Sequence, residues 1–303
     1  MAYDHLTAQT YLRHFQKNGA QLRVSRKSGL PNRGYFPKGI CSELDGGIVS
    51  KFIENPRRIG EFRKIFEPYW HLALKALKAR TVSRDVKLVV SGFMANLLAA
   101  TPTSTRLTAE SYRHCVIETA RAHQVLCARH GRADPNITQA LALIDSGGLS
   151  TEVDPDWARA QNAIRLSGFA WRLFNSHWTV IANATPIGFI TSDNPFVFQD
   201  PGPFGGGKTT LPRFLPLSPR LCLYVEMDPF ADFGAPDFAR PPQGHVKFAA
   251  INKVLEVELI NELVVACAEE LVISSTQIAR LDSLVAKYAK HRVRNEFMLP
   301  PPA

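Results

Sequence analysis

The chain has 303 residues, 45% of them hydrophobic, and a formal net charge of +9. That length and apolar content supply one large core or two ordinary ones without disulfide or metal staples, which excludes a disordered chain and a disulfide-held miniprotein. The longest apolar runs, such as Leu88 to Val90 and Leu271 to Ile273, are far too short to span a bilayer, and the opening residues Met1 to His5 show no basic stretch followed by an apolar one, so a cytoplasmic location is expected.

In chain order, "TAQTYLRHF" places Tyr11, Leu12 and Phe15 on one side of a short helix with Thr7 as a cap, and the alternating "QLRVSRK" suits a strand. Ser28 to Gly47 is dense in Gly and Pro and reads as irregular chain ending in "ICSELDGG". From Pro56 apolar residues recur at helical spacing, Ile59, Phe62, Ile65, Phe66, Trp70, Leu74 and Leu77, with Pro68 expected to split the helix. Three more long helices follow in "DVKLVVSGFMANLLAA", "TAESYRHCVIETARAHQVLCARH" and "DPDWARAQNAIRLSGFAWRLFNS", with a shorter one near Ile137 to Ile144. Near Trp178 the period switches to two, and "HWTVIAN", "GFITS", "FVFQ" and "RLCLYVEM" read as short strands between Pro, Gly and Asn turns. "FAAINKVLEVELINELVVACA" reads as helix, "ELVISS" as a strand and "TQIARLDSLVAKYAKHR" as a closing helix.

Helices clustered ahead of strands argue for α+β rather than alternating βαβ units. The expectation is a single domain over 1–303: a helical N-terminal and central part, mainly 54–176, packed against a small mixed or antiparallel sheet formed mainly by 177–275 and closed by a C-terminal helix. Five scattered cysteines without CxxC spacing read as reduced thiols rather than a disulfide framework.

Gly202, Gly207, Lys208 and Thr209 match the G-x-x-x-x-G-K-[ST] spacing of a phosphate-cradling loop. That chemistry needs a helix to begin inside the motif, and Pro212, Pro216 and Pro219 directly after it argue against one. An ordinary Gly-rich loop is the better reading. His123, Cys127 and His130 share one helix face at H-x-x-x-C-x-x-H spacing, which offers part of a zinc site but no matching second pair.

The stretches "HLTAQTYLRHF", "GFITSDNPFVF" and "FLPLSPRLCLYV", in that order, resemble an uncharacterised bacterial group, domain-of-unknown-function family 4238, over about His5 to Ser274. The chain departs from the family pattern at Leu6-Thr7 and Gln9-Thr10, and at Ala100-Thr101-Pro102, where the family often carries Arg-Thr-Pro. The resemblance implies a shared architecture and no particular activity.

Thr191-Ser192-Asp193-Asn194-Pro195 stands where a strand stops, and Pro195 keeps Asn194 extended, which fixes the Asp193 carboxylate. Such a carboxylate suits a metal ligand or general base, and equally an Asx-turn that ends a strand. His5 and Arg13 flank the first helix: Arg13 could grip Asp193 or a phosphate, and His5 could serve as acid or base. Either residue could instead merely fasten the helix. Glu43 and Glu67 are the other carboxylates to watch, since with Asp193 they could hold Mg²⁺. Basic residues concentrate at Arg57, Arg58, Arg63, Lys64, Lys75, Lys78, Arg80, Arg84 and Lys87, and again at Lys287, Lys290, His291, Arg292 and Arg294. They suit a phosphate backbone or a solvated helix face.

Two functions remain in view. One is a metal-dependent hydrolase of a phosphate-rich substrate, most simply a nuclease, with His5, Arg13, Asp193 and Asn194 at the reaction and Asp193, Glu43 and Glu67 on Mg²⁺. The other is a non-catalytic binding or sensing protein with a ligand pocket at the rim of the sheet. Under either, the basic charge makes nucleic acid or another phosphate-rich ligand the expected partner.

Overall fold

The computed structural model describes residues 3–5, 7–30, 32–44, 51–198, 211–227, 233–278 and 280–293. Its N-terminal part holds strand β1 (Tyr3–His5), helix α1 (Gln9–Arg13) and strands β2 (Leu22–Arg26), β3 (Arg33–Tyr35) and β4 (Ser42–Leu44). The helical middle comprises α2 (Arg58–Phe66), α3 (Trp70–Lys78), α4 (Arg84–Ala100), α5 (Pro102–Arg129), α6 (Pro135–Asp145) and α7 (Pro155–Asn175). The remainder is β5 (His177–Asn183), β6 (Thr191–Ser192), β7 (Val197–Phe198), β8 (Leu211–Ser218), β9 (Leu221–Met227), β10 (Val246–Ile251), α8 (Val254–Cys267), β11 (Leu271–Ser274) and α9 (Leu281–Lys287). This is the α+β fold expected.

Local signals set the helix boundaries. Pro68 divides α2 from α3 through a 3-10 turn at Glu67–Tyr69. Three helices begin with an oxygen-bearing cap followed by proline at the first position: Thr101-Pro102, Asp134-Pro135 and Asp154-Pro155. Each cap oxygen accepts a first-turn N–H, and proline there forfeits an N–H that had no helical partner.

Among the described residues three small sheets form. A five-stranded sheet runs β10-β5-β9-β8-β7, antiparallel except where β10 lies parallel to β5, and a four-stranded antiparallel sheet runs β3-β2-β11-β6. β1 and β4 form a separate antiparallel pair. One core joins α1, α3, α4 and α7 to β2, β5, β8, β9 and β11, from Ala8 to Ile273. Helix α4 is at its centre, with buried residues on all sides, and Gly92 lets Phe66 of α2 pack against it, since a Cβ there would stand 2.4 Å from the Phe66 ring. Helix α8 covers other apolar positions of both sheets: Val257 and Ile260 pack with Ile181 and Cys222, and Val264 and Val265 with Val272 and Ile190.

Several stretches differ from the sequence reading: Ser28 to Gly47, expected as irregular chain, holds β3 and β4, and α5 starts at Pro102, ahead of the expected Thr108. "FAAI", expected as the start of a helix, lies in strand β10, whose edge position beside β5 is set by residues far away in sequence. The proline-rich "LPRFLPLS", where the prolines argued against a helix and no strand was expected, is strand β8. Pro212 and Pro216 have the same parity along it, so their missing donors fall on one edge, and its neighbour β7 pairs with it at only two positions. The Gly-rich segment with Lys208 lies outside the described residues, and a strand, not a helix, begins at Leu211 directly after it.

No single helix among the described residues is long and apolar enough to cross a membrane.

Candidate functional site

The three sequence motifs meet at one buried point. Tyr11 comes from α1, Thr191 from β6 and Pro216 from β8. The Tyr11 hydroxyl donates to the Pro216 carbonyl at 2.5 Å and lies 2.8 Å from Thr191 Oγ1, so the single phenolic proton is committed and the Thr191 hydroxyl donates in return. Tyr11 is fully enclosed, and burial pushes its phenol well above the usual tyrosine range. The junction is therefore a fastening of neutral hydroxyls.

Beyond Thr191 the chain crosses from the four-stranded sheet (β6) to the five-stranded one (β7), and the Ser192–Asn194 turn makes the crossing. Ser192 Oγ accepts from Asn194 N–H and donates to Asn194 O. Asp193 is buried and accepts three backbone N–H bonds from the turn after α8: Glu269 at 2.9 Å, Glu270 at 2.8 Å and Leu271 at 2.8 Å. Its own N–H donates to Leu271 O at 3.1 Å, and Asn194 Nδ2 donates to Cys267 O at 2.9 Å. Burial pushes the Asp193 carboxyl up to about 6, with the three N–H bonds pulling in the opposite direction. Asn261 of α8 completes the clamp, accepting from Ile190 N–H and donating to Gly188 O.

Around the same turn the fold gathers charges that the sequence reading did not connect. Lys27, at the end of β2, is buried and its ammonium donates to Ala268 O at 2.7 Å, His291 O at 3.1 Å and Ala266 O at 3.2 Å. Burial and the nearby Arg292 guanidinium lower its pKa to about 8 against the opposing pull of Asp193 and Glu269. Glu269 takes a two-pronged bond from Arg106 of α5, at 2.9 Å on each oxygen, and accepts from Thr103. Arg106 closes a second pair with Glu110.

The expected site residues are dispersed. Arg13 is exposed and bonds Gln9, one turn back; it is not among the partners of Asp193. Glu67 accepts from Thr10 at 2.7 Å and pairs with Arg63 at 3.3 Å, which ties α1 to the break between α2 and α3. His5 and Glu43 lie in the β1–β4 pair, where His5 faces Ser42 and Glu43 faces Asp4 in register; their side chains are outside the described part. Among the described residues no group of three or more His, Cys, Asp or Glu side chains is placed to hold a metal ion. His123 and Cys127 do approach within 3.6 Å on α5, as their spacing required.

The basic residues separate into two sets. Lys87, expected on a basic face, is instead buried and donates to Ser176 O at 2.9 Å and Gly244 O, with its ammonium 5.1 Å from the Trp178 ring. Its position three residues before Val90 and seven before Met94 puts it on the buried stripe of α4, a signal present in the sequence. At the C-terminus Lys287 pairs with Glu262 and Arg292 faces Glu269 and Glu270; Arg294 lies outside the described residues. In contrast, Arg57, Arg58, Lys64, Lys75, Lys78 and Arg80, on α2 and α3 or next to their ends, are exposed. His14, directly after α1, sits beside Lys78 and His71, and burial, then Lys78 and His71, lower its pKa to about 4. Tyr69 is 56% exposed between the two helices.

The model of the family described as protein of unknown function (DUF4238) matches residues 3–277, and the chain belongs to that family. No curated protein and no solved structure matches it.

Proposed function

We propose that this protein binds a polyanionic partner, most simply nucleic acid, through the outer face of α2 and α3. The observation that carries the reading is the set of exposed cations there, Arg57, Arg58, Lys64, Lys75, Lys78 and Arg80, beside an exposed aromatic ring, Tyr69. Cations spaced along two consecutive helices suit a phosphate backbone, and an exposed tyrosine offers a face on which a base can stack. The reading favours binding over catalysis because the Asp193 and Glu67 carboxylates already have partners within the protein. Salt-dependent fluorescence anisotropy with a labelled single strand and a labelled duplex tests it. Affinity should fall steeply with salt, and replacing Lys64, Lys75 and Lys78 together by alanine should reduce the log–log slope by about 2 to 3. A flat salt profile, or no binding at low salt, would overturn it.

A second reading, hydrolysis of that same partner, draws on one observation: Lys27, Asp193 and Glu269 come within electrostatic reach of one another around the turn after α8. For these two acids to hold a divalent cation such as Mg²⁺ and activate water at a phosphodiester, Glu269 would have to release Arg106 and Asp193 its backbone N–H partners. Incubating labelled nucleic acid with Mg²⁺ or Mn²⁺ decides the matter. Cleavage by the parent protein that disappears in Glu269→Gln while binding persists is the expected result under this reading, and absence of cleavage removes it.

A further inference from the structure

Across the break at Pro68, α2 and α3 share a line of apolar side chains in solvent. Ile65, Tyr69 and Leu72 are each more than half exposed, and they stand four and then three residues apart, the spacing of one side of a helix. Phe66, Trp70 and Ala73, each one residue later, are all buried: Phe66 packs at Gly92 and Trp70 stacks on Phe93 with ring centroids 4.0 Å apart, both partners on α4. The 3-10 turn at Glu67–Tyr69 therefore keeps the core-facing line and the exposed line in step. Ile65, Tyr69 and Leu72 point the same way.

Cations bound this line. Arg58 lies two turns before Ile65 and Lys75 one turn after Leu72, with Lys64 next to Ile65 in sequence and Lys78 one turn beyond Lys75; all four are exposed. Residues 57–80 hold seven arginines and lysines against two glutamates. Both glutamates are engaged within the protein, Glu61 accepting from Asn55 and Glu67 from Thr10 and Arg63.

The positive charge selects an anion, and the apolar line within it selects which one. A duplex turns its bases inward, so its backbone offers nothing to Ile65 or Leu72, and its major groove presents hydrogen-bonding edges that call for polar side chains. A bilayer takes helices with a large continuous apolar face, whereas this line spans two turns between Arg58 and Lys75. A single strand exposes base faces and phosphates together, the same pairing of surfaces that the helices present. We infer that this face takes single-stranded nucleic acid in preference to duplex, with a base stacked on Tyr69 between Ile65 and Leu72 and with Arg58, Lys64 and Lys75 on the flanking phosphates. The inference rests on the polyanion-binding reading of α2 and α3 and narrows its partner.

Fluorescence anisotropy on the full chain at low salt, with a labelled mixed-sequence single strand and the duplex of the same sequence, tests it. The single strand should bind about tenfold more tightly or better, and Tyr69→Ala should weaken it by about 5- to 150-fold, the range for losing one base–aromatic stack. Tyr69→Phe should keep the affinity. In Tyr69→Ala the salt slope, the duplex affinity and the circular-dichroism spectrum should stay as in the parent, because no cation is removed and Tyr69 is not buried. Duplex bound as tightly as single strand, or a Tyr69→Ala loss that is equal for both probes or absent, overturns the inference and leaves the polyanion reading standing. Binding of neither probe removes both. Phosphatidylserine vesicles that pellet the parent but not Tyr69→Ala, when the two proteins bind single strand equally, would assign the line to a membrane and likewise overturn the inference.

Discussion

The hydroxyls of Tyr11 and Thr191 lie 2.8 Å apart although 180 residues separate them in the chain. The bond ties the N-terminal helix to the strand that precedes the sheet crossing, and the Pro216 carbonyl takes the remaining proton. Because each of the three motifs contributes one group, the junction accounts for their appearance together in a single chain. It is a packing role and requires no chemistry.

Removing the phenolic oxygen should therefore act on stability. Tyr11→Phe leaves the Pro216 carbonyl and the Thr191 hydroxyl short of a partner in the core, at a cost of about 1 to 3 kcal/mol. Thr191→Val should cost less, and the double variant less than the sum of the two, since both remove the same bond. Urea unfolding of the four proteins measures the coupling; additive effects would show that the hydroxyls do not interact.

Asp193→Asn should destabilise the fold. An amide offers one acceptor oxygen and turns an NH₂ group toward donors, so at least one of the Glu269, Glu270 and Leu271 N–H groups is left unsatisfied in a buried turn. A loss of about 2 to 4 kcal/mol follows. An unchanged melting temperature combined with lost nucleolytic activity would contradict this and favour the hydrolytic reading.

Gly244→Ala should be among the most damaging small substitutions. A Cβ at Gly244 would fall 2.0 Å from the Ser176 carbonyl oxygen, backbone that Lys87 also holds in place. The clash is with main chain at the entry to β5 and β10, so relief requires shifting a strand, and a cost above about 2 kcal/mol is expected. Thermal unfolding of the variant checks it.

Stability should gain from Lys27 and Lys87 as pH rises from about 8 towards the ordinary lysine range near 10.5. Burial lowers both pKa values to about 8, so in that window the unfolded chain binds more protons than the folded one, and raising pH favours folding. Below about 8 both ammonium groups are charged in either state and this contribution is flat. Lys87→Met should flatten the alkaline rise seen in chemical denaturation across that range; an unchanged rise would mean that Lys87 keeps its ordinary pKa.

How much of this was legible in the sequence depends on the range of the interaction that decides it. Apolar spacing, Pro68 and the cap–proline pairs determined the helices of the middle region, because helix bonds and caps join residues within about one turn. The two-residue period likewise marked β5 and β9. Strands β8 and β10 were decided by their neighbours: a strand exists only where another edge accepts its backbone bonds, and "LPRFLPLS" and "FAAIN" do not show which edge that is. The site behaves the same way. The sequence showed that Asp193 would be fixed where a strand ends, while only the tertiary structure could bring the turn after α8 against it, bury Lys27 and Lys87 among carbonyls, and leave Arg13 in solvent, since burial and hydrogen-bond satisfaction are properties of segments that meet across the whole chain.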